Sequence, residues 1–213
     1  MAKFHNFFCQ MTLNQDEYFS VKSPLQTEIK IKGSRFIANI FHAETKEEAE
    51  VLYKNLCRKY HDATHNCYAF RITEDLFRYS DDGEPSGTAG KPLLQMIDAK
   101  GLLEVICVVT RYFGGVKLGT GGLIRAYSQA AQSALDAVTL VKKTIRSRFI
   151  LSCGYELENT VRNIINRFKG IVENAEYTEQ IKIIVAVPES RSELFLQEIN
   201  EQTNSVVNAK RLG

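Results

Sequence analysis

Most of the chain's 13 glycines fall in two short stretches, and this clustering constrains the fold more than any other feature of the sequence. The first stretch, 81–92, reads DDGEPSGTAGKP, and the second, 110–122, reads TRYFGGVKLGTGG. Because glycine loses the most backbone entropy on folding, such clusters indicate sharp turns or close approach to a ligand. The first stretch carries three acids and the second two bases, so we expect the loops to form a site as well as turns.

The second stretch has the pattern of an anion-binding loop between a strand and a helix. An apolar, β-branched run at 104–110 predicts a central strand, and residues 123–140 predict a helix. Open N–H groups and the helix dipole at such a junction favour phosphate. The glycines are not spaced as in a P-loop or a Rossmann fingerprint, and tight helix-on-sheet packing explains them equally well. The predicted anion- or nucleic-acid-binding residues are Arg35, Arg111, Lys117, Gly119, Gly121, Gly122 and Arg125.

The first stretch is an acidic loop containing Asp81, Asp82 and Glu84. Its carboxylates could hold Mg²⁺ through oxygen ligands. Asp side chains also bond their own backbone in turns, and Asp-Gly is a strong turn dipeptide. We therefore expect a structural or partner-binding loop whose acids form a salt bridge with Arg111 or Arg35, and we assign no metal site.

A His/Cys cluster at 61–67 suggests a metal site or a Cys–His pair. His61 and His65 are four residues apart and Cys67 is close, but no third ligand has the spacing that zinc requires. Cys67 also falls in a predicted strand, 66–72, where a buried thiol is inert. We assign no catalytic residue and no cofactor.

Composition is that of a globular protein, with 44% hydrophobic and 24% charged residues in a chain of 213. No run approaches the length of a membrane helix, and the five cysteines form no CxxC pair, which favours a reducing cytoplasm. The N-terminus lacks the features of a secretory signal, and Met11 offers an alternative start after residues 1–10. The net charge is only +2, but residues 100–148 carry eight Lys or Arg against two acids, so we expect a polyanion to bind there.

Periodicity predicts an α+β chain of two domains, 1–141 and 142–213. The first begins with a hairpin, 25–31 and 35–41, and a helix, 46–60, that follows a capping box at 45–48. A basic turn at 141–144 is the predicted junction. The tail predicts strand 145–152, helix 154–168, strands 171–177 and 180–187, helix 190–201 and a strand near 205–209. This β-α-β-β-α-β order is typical of a ferredoxin-like sandwich.

Four segments resemble the YigZ/IMPACT family: 34–38 (SRFIA), 62–66 (DATHN), 81–92, and 110–127 (TRYFGGVKLGTGGLIRAY). The resemblance spans about residues 18–137. It implies an N-terminal domain with the fold of the second domain of ribosomal protein S5 and, in bacterial members, a ferredoxin-like C-terminal domain. It also implies regulation of translation, since eukaryotic relatives bind the ribosome-associated activator of an initiation-factor kinase. Some small-molecule kinases share the S5-like fold and hold ATP on a glycine-rich loop.

These observations lead to three hypotheses about function. The first is a cytoplasmic, translation-linked regulatory protein that contacts RNA, the ribosome or a translation factor through the basic glycine-rich region. The second is an enzyme that binds a nucleotide or phosphate ester on the same loop, with Mg²⁺ at the acidic loop as one version. The third is an adaptor whose acidic loop docks basic residues of a partner protein. None of them involves a membrane.

Overall fold

The computed structural model describes residues 16–212, so Cys9 and the alternative start at Met11 lie outside the described residues. None of the described helices is long and apolar enough to cross a bilayer. The elements are β1 (Glu17–Val21), β2 (Leu25–Ile31), β3 (Ser34–His42), α1 (Lys46–Lys59), β4 (His65–Arg71), β5 (Phe77–Ser80), α2 (Gly90–Ala99), β6 (Val105–Tyr112), α3 (Thr120–Ala137), β7 (Leu140–Thr144), β8 (Arg146–Cys153), α4 (Glu158–Arg167), β9 (Ile171–Tyr177), β10 (Ile181–Pro188), α5 (Ser192–Gln202) and β11 (Asn208–Leu212).

The described chain divides into two compact units, of which Tyr18–Lys143 is the larger. Its centre is an antiparallel five-stranded sheet in the order β2-β3-β6-β4-β5. Val105, Cys107 and Val109 of β6 belong to a core with α2 and α3, whereas Ile106 and Val108 belong to a core with α1. Helices therefore cover both faces of the sheet, which explains why the predicted central strand is a continuous apolar run.

Helix α1 follows the predicted capping box with one change. The Thr45 hydroxyl accepts a hydrogen bond from the Glu48 backbone N–H at 3.1 Å. The Glu48 carboxylate reaches back to the N–H of Glu44, at 2.8 Å, and not to that of Thr45. Both bonds still satisfy N–H groups near the helix start.

Helix α3 begins three residues earlier than predicted, because the glycines at 121 and 122 lie inside its first turn. Its N-cap is Gly119, whose φ of +71° is outside the helical region. The alanine face is buried as the four-residue spacing predicts. The helix ends at Ala137, since Val138 is extended. The predicted turn at 141–144 is wrong: these residues belong to β7, which pairs with β1.

The second unit comprises Thr144 onward together with the described residues before Tyr18. Its elements follow the predicted order, β8-α4-β9-β10-α5-β11, and form an antiparallel sheet in the order β11-β8-β10-β9. Each helix follows a short 3-10 turn, at Tyr155–Leu157 and Glu189–Arg191. The helices pack on one sheet face around Phe149, Ile164 and Phe195. The last strand lies about three residues later than predicted.

Candidate functional site

The acidic loop and the glycine-rich loop meet at one cavity of about 300 Å³ beside the end of β6. They therefore build a single site. Three segments form its wall, and the lining residues are Thr64, His65, Glu84, Pro85, Arg111, Phe113, Lys117, Leu118, Gly119, Thr120 and Leu123.

A buried ion pair joins the two loops. Oε1 of Glu84 accepts a hydrogen bond from Nη1 of Arg111 at 2.6 Å and another from the Tyr127 hydroxyl at 2.8 Å. Only 8% of Glu84 and 5% of Arg111 are exposed. This pair confirms the predicted salt bridge between the acidic loop and Arg111. Because each charge is buried, each depends on the other for compensation.

The Arg111 guanidinium is further held by its neighbours. It lies 5.5 Å from the ring centroid of Phe36 and 5.6 Å from that of Phe113. Nη2 donates to the Ser34 hydroxyl at 3.4 Å, and Nε has no hydrogen-bond partner within residues 16–212. Arg111, predicted as an anion-binding residue, is thus a fixed charge in the cavity wall that is already paired with Glu84.

The two aspartates of the acidic loop bind main-chain groups. Asp81 accepts from the N–H groups of Gly87, Ala89 and Gly90 at 2.8, 2.9 and 2.8 Å, so it caps the start of α2. Asp82 accepts from the N–H of Asn66 at 2.6 Å. These bonds support the structural interpretation of the loop, because Asp side chains that bond nearby main-chain groups are typical of turns.

Behind the ion pair, Tyr127 joins Glu84 to Cys67. The Cys67 thiol donates to the Asp81 carbonyl at 3.0 Å, and its Sγ lies 3.3 Å from the Tyr127 oxygen. Burial raises the pKa of the Cys67 thiol far above its usual range. Because the neutral thiol is a poor nucleophile, this arrangement argues against a Cys–His catalytic pair.

His65 forms the other wall of the cavity. Its Nδ1 lies 2.6 Å from the Asp82 carbonyl oxygen, and its Nε2 lies 3.9 Å from Oε2 of Glu84. Its strand partner across the sheet is Arg111. His65 therefore belongs to the site through the register of β4 and β6, and not through the metal-like spacing of His61 and His65.

The glycines of the second loop serve two different purposes. A Cβ on Gly114 would lie 1.9 Å from the carbonyl carbon of Gly33, so this glycine allows two backbones to touch. Gly121 has no positive φ, and a Cβ there would meet nothing within 4 Å. Packing therefore explains Gly114, whereas at Gly121 the missing side chain leaves open space above the first turn of α3.

That first turn is open and carries no negative side chain. Gly119 provides no side-chain cap, and the first turn of this 18-residue helix has no acidic residue. The early N–H groups of the helix are thus available to a ligand, and the helix dipole places a positive partial charge there. Lys117 adds a full charge at the rim, and Phe113 leaves 47% of its surface exposed beside it.

The cavity gathers only part of the predicted set: Glu84, Arg111, Lys117 and Gly119 line it. Arg35 pairs with Glu28 at 3.0 Å and lies over the Tyr112 ring, so the alternative salt bridge from the acidic loop to Arg35 is wrong. Arg125 is exposed on α3. The lining residues missed from the sequence include Thr64, Phe113 and Thr120. All three lie inside segments that resemble the YigZ/IMPACT family, 62–66 and 110–127, and that resemblance is the signal that could have identified them.

Comparisons with known proteins match both halves of the chain. The Impact N-terminal domain family matches residues 32–135, and a domain of unknown function, DUF1949, matches residues 151–205. The chain is 35% identical over 189 residues to the IMPACT family member YvyE of Bacillus subtilis (strain 168), covering 88% of this chain and 87% of that protein. It is 34% identical over 173 residues to the IMPACT family member YigZ of Escherichia coli (strain K12), covering 79% and 85%. A crystal structure of a hypothetical protein has a TM-score of 0.69 at 29% identity, covering 94% of this chain and 99% of that chain.

Proposed function

This chain belongs to the IMPACT family, and from that premise we propose that it is a cytoplasmic, translation-linked regulatory protein that binds RNA, free or on the ribosome. The observation that carries the proposal is the loop cavity, in which Lys117 and the open start of α3 lie beside the exposed ring of Phe113. Such a site offers one position for a backbone phosphate and another for a base.

The phosphate position follows from the charges of the cavity. Arg111 and Glu84 compensate each other, so Lys117 supplies the net charge at the rim. The start of α3 adds roughly half a positive charge and several N–H donors. Phosphate oxygens satisfy both features, and Gly121 leaves room for them to approach the helix.

The base position follows from exposed apolar surface near the same loop. Phe113, Val116 and Ile124 are 47%, 51% and 40% exposed. Stacking of one base on an aromatic ring contributes about 1–3 kcal/mol and tolerates any base. We therefore assign single-stranded or looped RNA, in which bases are free to stack, as the ligand.

We also propose a fold class and bounds for each of the two domains. The unit around the five-stranded sheet is taken as S5 domain 2-like, within a domain 1–141. The antiparallel order β11-β8-β10-β9 with both helices on one face supports a ferredoxin-like domain, 142–213.

A second candidate is an enzyme that binds a nucleotide or phosphate ester in the cavity. The observation that favours it is the concave shape, about 300 Å³, with His65 in the wall. This volume is at the lower end of the range of small-molecule sites. A thermal-shift series with nucleotides tests it, because a ligand at about 100 times its Kd stabilises the folded state by roughly 2.7 kcal/mol.

The experiment for the RNA proposal is an affinity series with a fluorescent single-stranded RNA and with ribosomes. Lys117→Gln and Phe113→Ala should each weaken binding by about tenfold, through a lost phosphate contact and a lost stacking contact. Lys54→Gln removes the same charge from an exposed position on α1 and is the matched control, which should bind like wild type. Wild-type affinity in both site variants would refute the proposal. A nucleotide-induced rise in Tm without RNA binding would favour the enzyme instead.

A further inference from the structure

The face of the five-stranded sheet that carries α1 is only partly covered. One helix is about 10 Å wide and strands are about 4.8 Å apart, so a single helix covers roughly two strands. Helix α1 packs on β4 and β6. The surface of β3 and β2 beside it is left as a groove of about 460 Å³.

The groove is lined by apolar side chains and by polar side chains that carry N–H donors. Its lining residues are Pro24, Leu25, Gln26, Asn39, Phe41, Leu52, Asn55, Leu56 and Lys59. They include one cation, Lys59, and no acid. The Tyr60 hydroxyl donates to Oε1 of Gln26 at 2.9 Å, so that acceptor is already occupied. The charge of the lining therefore favours an anionic or acceptor-bearing occupant.

Asn39 gives the second, independent observation. It is only 3% exposed, and its amide nitrogen has no hydrogen-bond partner in the part of the chain that the structure describes. The neighbouring residues on β3, Ala38 and Ile40, face the opposite core, so Asn39 lies on the side of the groove. Because buried side-chain polar groups in native proteins are mostly hydrogen-bonded, this donor lacks an acceptor that an occupant would provide.

We propose that the groove between α1 and the β2–β3 edge binds a small amphiphilic carboxylate. Its apolar body packs on Phe41, Leu52 and Leu56. Its carboxylate accepts a hydrogen bond from the Asn39 amide and pairs with the ammonium of Lys59 at the rim. The groove has a volume typical of small-ligand sites and shares no lining residue with the loop cavity, so the proposal is independent of RNA binding.

The test is an NMR titration of the full chain with octanoate, followed through the side-chain amide of Asn39 and the backbone amides along the groove. We expect saturable shifts confined to those residues. Lys59→Gln should raise the Kd by about tenfold, as expected for a lost charge-assisted contact. Lys54→Gln, on the same helix, is the matched control and should leave the Kd unchanged. Octylamine, which has the same apolar tail and the opposite charge, should not bind.

Asn39→Leu removes the amide while nearly keeping the volume, and it should also weaken octanoate binding. Lys59 is exposed, so its variant carries the test even where the Asn39 variant fails to fold. Absent or non-saturable shifts would overturn the proposal, and so would equal binding of octylamine. The same residues could instead shift with protein concentration alone, without octanoate. That result would assign the groove to contact between copies of the chain and would also overturn the proposal.

Discussion

The buried pair of Glu84 and Arg111 gives the sharpest stability prediction. Glu84→Gln keeps the shape of the side chain but removes the negative charge opposite Nη1 of Arg111, now 2.6 Å away. The guanidinium, 5% exposed, is then left without a counter-charge. Breaking a buried pair in this way costs about 3–5 kcal/mol, which is a large share of the roughly 5–15 kcal/mol that stabilises a typical domain.

Two further variants separate the charge from the hydrogen bonds. Tyr127→Phe keeps both charges but removes the 2.8 Å bond to Glu84, together with the 3.3 Å contact to the Cys67 thiol. It should cost about 1.5–3 kcal/mol, the usual range for a hydrogen bond to a charged group. Arg111→Met placed on Glu84→Gln removes the orphaned charge as well. We expect this double variant to be more stable than Glu84→Gln alone, because replacing both partners avoids the unpaired buried charge.

Urea unfolding, monitored by circular dichroism, measures these differences directly. A cost below about 1 kcal/mol for Glu84→Gln would show that solvent compensates Arg111, as it does for surface pairs. A double variant less stable than the single one would show that Arg111 is not the source of the cost. Either result would refute the view that the acidic loop stabilises the site by pairing with Arg111.

Three other predictions follow from the same structure. Gly121→Ala should stabilise the protein by about 0.5–1 kcal/mol in urea unfolding, because this helical position has room for a Cβ. The same methyl group should weaken RNA binding, because it fills the open space at the first turn of α3. Lys143 holds the pKa of Glu44 below its usual value, so the stability that this carboxyl contributes is full at neutral pH and is lost as the pH falls through the lowered pKa. Lys143→Met should therefore make Tm decline less steeply as the pH is lowered into the acid range. Burial raises the pKa of Cys107 to about 12. Peptide mapping after iodoacetamide treatment at pH 8 should therefore find Cys107 unmodified and the partly buried Cys57 labelled.

The spacing of apolar residues predicted much of the fold, because it depends only on residues that are near one another in the sequence. The continuous apolar run became β6, and the alanine spacing fixed the buried face of α3. The start of α3 was predicted too late because glycine has low helix propensity, and tertiary context overrode that preference. The strand at Leu140–Thr144 was missed because its basic residues resemble a turn, whereas pairing with β1 supplies the hydrogen bonds that a strand needs.

The sequence predicted some residues of the site, but not how distant segments of the chain come together to form it. The opposite charges of the two loops predicted the pair between Glu84 and Arg111. His65 and Tyr127 join the site only through the β4–β6 register and the packing of α3, which are long-range properties. The groove at Asn39 was also invisible, because it arises from where α1 leaves the sheet uncovered.

The central claim is that Lys117 and the start of α3 contact a phosphate of RNA, and the salt dependence of RNA affinity tests it most directly. The logarithm of the association constant falls with the logarithm of salt concentration by about 0.7 per phosphate contact on single strands. We predict that Lys117→Gln lowers this slope by about that amount, whereas Lys54→Gln leaves it unchanged. Equal slopes for wild type and Lys117→Gln would contradict the account.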